Sequence, residues 1–309
     1  FTNFQYDGYR VYTNKPPCGA MRGHGGPQAH FAQDVQLDMI AEELGLDPVE
    51  IALKNGLRTG EESAVGFKII SSGFRDCVAK VSKAAGWGEK RQLRKRDKKK
   101  AYGIGLGCGG FPSGAGFYFS RTTSAQSSAI IKADEGGGIH VMTGASDIGQ
   151  GSNNIICQIA AEVLGLTLDD IHITSADTQL TPPDMGTYSS RVTVAAGNAI
   201  LRAANSAKKE IFQVVSEKLE ANANDLVAED RKIFVQGSPD IFISFTDALY
   251  LYQSKNNGSP LVVKGSYISP DKMSPTYSFG AFVCEVEVDL RTGEVRVLKI
   301  TAAHDSGQL

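Results

Sequence analysis

The reading turns on residues 139–165, IHVMTGASDIGQGSNNIICQIAAEVLG. Ile139 to Thr143 reads as a strand, and Ala129 to Ala133 as its partner across the turn Glu135-Gly136-Gly137-Gly138. From about Asn153 to Leu164 the spacing predicts a helix, with Ile155, Ile156, Ile159, Ala160, Val163 and Leu164 on one face. Ser152 is placed to cap its start and Gly165 to end it. Between strand and helix lies the glycine-rich run Gly144 to Ser152.

Working outward, Ile171 to Ser175 reads as a further strand, and Asn198 to about Leu219 as a long helix carrying Leu201, Ala204, Ile211 and Val215. Near the end Phe282, Cys284, Val286 and Val288 alternate with acidic residues. The turn Arg291-Thr292-Gly293 then leads into a second alternating run, Val295 to Ala302, so a half-exposed hairpin is expected. Towards the start, a Gly/Pro-rich loop precedes a helix from Gln28 to Leu44 with Phe31, Val35, Met39 and Ile40 on one face, and Gly45 as its cap. Asp47-Pro48-Val49-Glu50 reads as N-cap, Pro at N1 and Glu at N3 of a second helix through Lys54. The segments EELGLDPVEI (42–51) and AEVLGLTLDDI (161–171) look alike; two helices ended by the same glycine cap explain this more simply than a duplication. The whole reads as α+β, in two lobes: 1–88 and 101–309, joined by the basic run 89–100, EKRQLRKRDKKK. That run reads as a solvated linker rather than a nucleic-acid or phosphate patch, because no aromatics interleave it.

Composition narrows the class. With 309 residues, 41% hydrophobic and 21% charged, the chain suits a globular protein with room for two cores. A formal net charge of −2 gives no overall pull towards nucleic acid or an anionic membrane, and no apolar run approaches a membrane span. No signal peptide is visible, and the start reads as a cut inside a longer protein. The five cysteines include no CxxC, which argues against a disulfide framework, zinc or an iron–sulfur cluster held here, and fits a reducing cytoplasm. No G-x-S-x-G elbow or H-E-x-x-H occurs, and the five histidines are scattered. Gly105 to Gly110 matches G-x-G-x-x-G, but Phe111-Pro112-Ser113-Gly114 cannot open a good helix. A glycine-rich strand under close backbone packing is favoured over a dinucleotide site.

Three loops remain. Pro16 to Gln28 is dense in glycine and carries Arg22 and Gly23 ahead of a helix. Gly144 to Ser152 carries Ile148, Gly149, Gln150 and Gly151; the Gln150 amide offers a donor and acceptors to a flat polar heterocycle. Asp184 to Thr193 carries Ser189, Ser190, Arg191 and Thr193 at a helix entrance, a pattern suited to a multiply charged anion. Each alone reads more simply as turn chemistry; three together point to one large polyanionic cofactor.

AMRGHGGPQ, TGASDIGQGSN, DMGTYSSRVTVAAGNA and YSFGAFVCEVEVDLRTGEVRVLKITAAHDSG, in this order, resemble the cofactor loops and adjoining hairpin of the xanthine oxidase family's molybdopterin-binding subunit. Within that family, R-G-H-G, the T-G-A-x-D-I-G-Q-G form and Y-S-S-R-V-T look most like the large subunit of 4-hydroxybenzoyl-CoA reductase. The resemblance implies a two-lobed molybdopterin-binding domain of the xanthine oxidase/aldehyde oxidoreductase type. It implies molybdenum on molybdopterin, in its cytosine dinucleotide form, bound through the cofactor's sulfurs. Arg22 and Gly23 would sit beside the metal. Ile148, Gly149, Gln150 and Gly151 would hold the pterin and the metal's oxo edge. Ser189, Ser190, Arg191 and Thr193 would take the dithiolene and phosphate side, Ser189 nearest the metal. Partner subunits would carry 2Fe–2S clusters and FAD in a cytoplasmic hetero-oligomer acting on a small aromatic substrate, as a CoA thioester in the reductase subfamily. The family's general-base Glu, in a G-x-G-E context near the C-terminus, is expected beyond Leu309. The sequence is accordingly read as a fragment or a split subunit, inactive alone.

Overall fold

A computed structural model describes residues 5–307 apart from 18, 20, 24, 65, 93–98, 115–124 and 270–275. Half of the expected basic linker, residues 93–98, therefore lies outside the described residues, as do Cys18 and His24 of the first loop.

The chain forms two compact units, Phe1–Ser113 with Ser274–Leu309, and Gly114–Met273. This division differs from the 1–88/101–309 expectation. The physical reason is strand pairing across long sequence separation: β1 (Lys100–Ser113) pairs along its whole length with β9 (Thr276–Asp289), which pairs with β10 (Val295–Asp305).

In the first unit this antiparallel sheet, order β1-β9-β10, packs against α3 (Phe74–Ala85). The core includes Ile69, Phe74, Val78, Val81, Trp87, Phe279, Ala281 and Val283. α2 (Pro48–Asn55) starts as its sequence predicts, with the Asp47 carboxylate accepting from Val49 N at 2.7 Å and also from Trp87 Nε1 at 3.0 Å. A short helix, α4 (Trp87–Gln92), comes directly after α3. Residues 105–110 lie within β1, and two of their glycines, Gly109 and Gly110, serve close packing. A Cβ at Gly109 would run into the His30 ring, and one at Gly110 would lie 2.8 Å from Phe279. α1 (Gly26–Leu44) approaches there, and Asp34 accepts from Cys108 N at 3.0 Å. Burial raises the Asp34 carboxyl above its ordinary value and pushes the Cys108 thiol up to about 12. The predicted apolar face of α1 forms but stays uncovered, with Phe31 73% exposed.

The second unit is built on a four-stranded sheet, order β4-β3-β2-β8. β2 (Ser127–Ala133) and β3 (Ile139–Thr143) are the predicted hairpin. β3 crosses through α5 (Ser152–Leu164) to the parallel β4 (Ile171–Ser175). α6 (Val192–Lys218) lies along β2 and β8 (Val262–Tyr267) through a stripe of fully buried alanines, among them Ala195, Ala199 and Ala203. Gly265 of β8 makes that approach feasible, since a Cβ there would collide with Ala199 O. α6 starts six residues before the expected Asn198. Gly197 does not open the helix; it sits buried inside it, where a Cβ would lie 3.1 Å from Ile159 of α5. A small antiparallel sheet, β5 (Leu226–Glu229), β6 (Lys232–Val235) and β7 (Ser238–Ser244), and α7 (Phe245–Lys255) complete the unit.

The two look-alike segments share one device. Gly45 and Gly165 both end their helices in the left-handed conformation, and Leu46 N and Leu166 N reach back to Ala41 O and Ala161 O at 2.9 Å. The two helices lead into different elements: α2 in one case, a single 3₁₀ turn, Leu168–Asp170, in the other.

Candidate cofactor-binding site

The glutamine loop joins β3 to α5. Its helix cap is not the expected Ser152. Gly151 stands at the N-cap, and the Asp147 carboxylate collects the loop's N–H groups: Gly149 at 2.8 Å, Gly151 at 3.4 Å and Asn153 at 3.2 Å. A carboxylate suits the positive end of a helix better than a hydroxyl, and Ser152 is already inside the helix. These backbone hydrogen bonds, first those of Gly149 and Asn153, hold the Asp147 carboxyl below its ordinary value.

Gln150 turns its amide onto its own loop. Oε1 accepts from Ile148 N at 2.7 Å, while Nε2 donates to Ser146 O at 3.2 Å and Ser152 Oγ at 2.9 Å. Gly149 and Gly151 have φ of +100° and +81°, so the backbone requires glycine. A Cβ at either would meet nothing within 4 Å, and Ile148 is exposed, which leaves the loop's outer surface open.

The serine loop, Asp184 to Arg191, leads into α6. Ser189 and Ser190 take the left-handed conformation in succession, φ +50° and +51°, a costly arrangement for non-glycine residues. Its restraint is internal. Arg191 and Asp184 form an ion pair at 2.9 Å with each side chain 1% exposed. Arg191 Nη1 also donates to Gly186 O at 2.6 Å, and Nη2 to Gln126 O at 2.5 Å and Ser127 Oγ at 3.1 Å. Its guanidinium carbon lies 5.7 Å from the Tyr188 ring centre. Ser189 O accepts from Gly114 N at 2.9 Å. Ser190 and Thr193 are exposed. The first-turn N–H groups of α6 have no intrahelical partner, as in any α-helix.

These two loops meet at one atom. Ser146 O accepts from Thr187 Oγ1 at 2.7 Å as well as from Gln150 Nε2. They also approach through Gly144, where a Cβ would strike Pro182 O and lie 2.9 Å from Asp184 N. The structure therefore joins the two loops through Ser146 and Thr187 and through Gly144 and Asp184. Arg22 and Gly23 belong to the first unit: Arg22 is exposed, and Gly23 (φ +92°) turns the chain, its carbonyl accepting from Gly26 N at 2.8 Å.

Sequence reasoning did not find Ser146 and Ser152 as partners of Gln150, nor Asp147 and Thr187 as the side chains that tie the loop's backbone. The spacing of Asp147 two residues before Gly149 was the available signal for its cap. The spelling G-x-G-E does occur at Gly86-Trp87-Gly88-Glu89, but there Gly86 ends α3 and Trp87 is buried in the core. Among the described residues no group of three or more His, Cys, Asp or Glu is placed to hold a metal ion, and no helix is long and apolar enough to cross a membrane. The donor set fits a large polar cofactor that brings its own metal ligands: open glycine backbone, an amide, exposed hydroxyls and a helix N-terminus.

A fold of this kind, with a glycine-rich loop and a serine loop at successive helix entrances, is that of a cofactor-holding module. The chain belongs to the molybdopterin cofactor-binding domain family, whose models match residues 1–56 and 80–309. It is of the type found in molybdenum-binding large subunits of xanthine dehydrogenase and carbon monoxide dehydrogenase. It is 30% identical to the putative xanthine dehydrogenase molybdenum-binding subunit XdhA of Escherichia coli K12, over 99% of this chain and 40% of that one. With the carbon monoxide dehydrogenase large chain of Hydrogenophaga pseudoflava it shares 29% identity, over 96% of this chain and 39% of that one. The structure matches quinoline 2-oxidoreductase from Pseudomonas putida 86 with a TM-score of 0.80 and 27% identity, over 95% of this chain and 39% of that one. The chain thus spans about 40% of the length of the curated relatives it matches.

Proposed function

We propose that this chain supplies the cofactor-holding part of a molybdenum-dependent oxidoreductase that hydroxylates an N-heterocycle or an aldehyde with oxygen derived from water. The observation that carries this is the joining of the Gln150 and Ser189 loops at Ser146 O. Ile148, Gly149, Gln150 and Gly151 would line the pterin side; Ser189, Ser190 and Thr193 the dithiolene and phosphate side; Arg22 and Gly23 the metal. The cofactor, when bound, supplies the two-electron redox chemistry, and the protein supplies orientation and electrostatics. Exposed hydroxyls and first-turn N–H groups at the α6 entrance favour an anionic group, in keeping with the cytosine dinucleotide form. Electrons would leave through 2Fe–2S and FAD subunits of a cytoplasmic hetero-oligomer. The names of the relatives as a subunit and a large chain favour such an assembly.

A narrower reading is reductive removal of a phenolic hydroxyl from an aromatic acyl-CoA. It rests on the run Arg22-Gly23-His24-Gly25 and on TGASDIGQG and YSSRVT as they stand here. The full protein purified with its neighbouring subunits is expected to carry about one molybdenum and one pterin per chain. Absence of both sinks the proposal. With metal present, transfer of ¹⁸O from labelled water into an N-heterocycle or aldehyde supports hydroxylation. Turnover confined to a hydroxyaroyl-CoA with a reductant supports the narrower reading.

A further inference from the structure

We propose that Thr187 and the buried Arg191–Asp184 pair are positioning residues that set the serine loop against the glutamine loop, and that Arg191 works from inside the fold without touching the cofactor. This rests on the reading of these loops as the cofactor's seat.

The resemblance alone assigns Arg191 to a phosphate. The geometry points elsewhere. Both terminal nitrogens of Arg191 are engaged, with Asp184 Oδ1, Gly186 O, Gln126 O and Ser127 Oγ. The Asp184 carboxylate is engaged in turn: Oδ1 accepts from Gly186 N at 2.7 Å, and Oδ2 accepts from Ser127 Oγ. Turning the guanidinium outward would strand Asp184 as an uncompensated buried charge, so the pair stays where it is. In that place it holds the strained segment at both ends. Asp184 and Gly186 are fixed at one end. At the other, Arg191 anchors the start of α6, with its N–H on Tyr188 O at 3.2 Å. Ser189 and Ser190 lie between these anchors, which keep them in the left-handed region.

Thr187 carries this order across to the other loop. Its hydroxyl donates to Ser146 O, the same carbonyl that receives Gln150 Nε2. The relative placement of Gln150 and Ser189 thus passes through Ser146 O and Thr187. Both groups reach the cofactor in the proposed function, so an error in this register would misplace one against the other.

The test uses the full protein with its partner subunits, prepared both loaded and from cells unable to make molybdopterin. The variants are Thr187→Val, Thr187→Ser and Arg191→Lys, with Ile233→Val in the small sheet as a control for general destabilisation. In cofactor-free protein, amide exchange of residues 146–151 should quicken about fivefold in Thr187→Val, the worth of one neutral hydrogen bond. Thr187→Ser should restore it and Ile233→Val leave it unchanged. Arg191→Lys should quicken it too, because a point charge cannot replace the planar fork. In loaded enzyme, loss of pterin, read by its fluorescence after release and oxidation, should quicken in the same order. Unchanged exchange in Thr187→Val overturns the linkage. Arg191→Lys that sheds pterin faster while exchange at 146–151 stays at the wild-type rate overturns the internal role and makes Arg191 a cofactor ligand. Protein that never carries pterin refutes the functional reading alone, and the exchange comparison still decides the linkage.

Discussion

The glutamine loop and the serine loop stand at equivalent places, each between a strand or turn and a helix entrance, yet they are held by opposite means. The glutamine loop is tied by an exposed carboxylate, Asp147, and by the amide of its own Gln150. The serine loop is tied by a buried ion pair. Surface ties of the first kind are individually weak and exchange readily with water or a ligand. A buried pair is different: its net gain over an apolar core is small, but breaking one half is costly. One loop is therefore held by ties that can rearrange, and the other is held to one shape.

The contrast breaks if removing half of the buried pair proves harmless. Asp184→Ala should cost about 3–5 kcal/mol in urea unfolding of the second unit's transition. Next comes the place where the loops touch. Gly144→Ala drives a methyl into Pro182 O and the Asp184 backbone and should cost about 1–3 kcal/mol by the same measurement. Gly149→Ala is the matched control on the open side: it meets no neighbour and carries only its φ of +100°, so about 1–2 kcal/mol is expected. If Gly149→Ala costs more than Gly144→Ala, the outer surface of the glutamine loop is not open as described. The smallest effect should come from Asp147→Asn. The native carboxyl is held below its ordinary value, so its contribution is fully present above about pH 4, the unfolded value. That contribution fades as pH falls through the native pKa. The wild-type and Asp147→Asn unfolding curves should therefore differ at pH 7 and converge in acid. Curves that stay equally far apart throughout would remove Asp147 as the loop's anion.

Much of the second unit was legible because its signals are local. The 3.6-residue spacing from Ile155 to Leu164, the glycine after Leu164 and the turn before Ile139 each depend on residues a few places apart. α3 was missed although Phe74, Cys77, Val78, Val81 and Ala85 carry the same periodicity. The start of α6 was misplaced because Gly197-Asn198 reads as punctuation, whereas the glycine serves contact with Ile159. β5 and β6 are four residues each, too short for alternation to speak. The division into units and the pairing of Arg191 with Asp184 and Ser127 depend on contacts between distant or turn-separated residues, which single-sequence periodicity does not report. The family resemblance located both loops. It did not reveal that Arg191 faces inward.

The pairing of β1 with β9 has a consequence for synthesis. The second unit is inserted between them, so β1, ending at Ser113, leaves the ribosome well ahead of β9, which begins at Thr276. At about 5–20 residues per second it waits roughly 10–30 s without its neighbour. During that interval a glycine-rich segment of 14 residues has every ladder group unmet, while the later unit, whose strand partners lie within its own span, has what it needs to condense first.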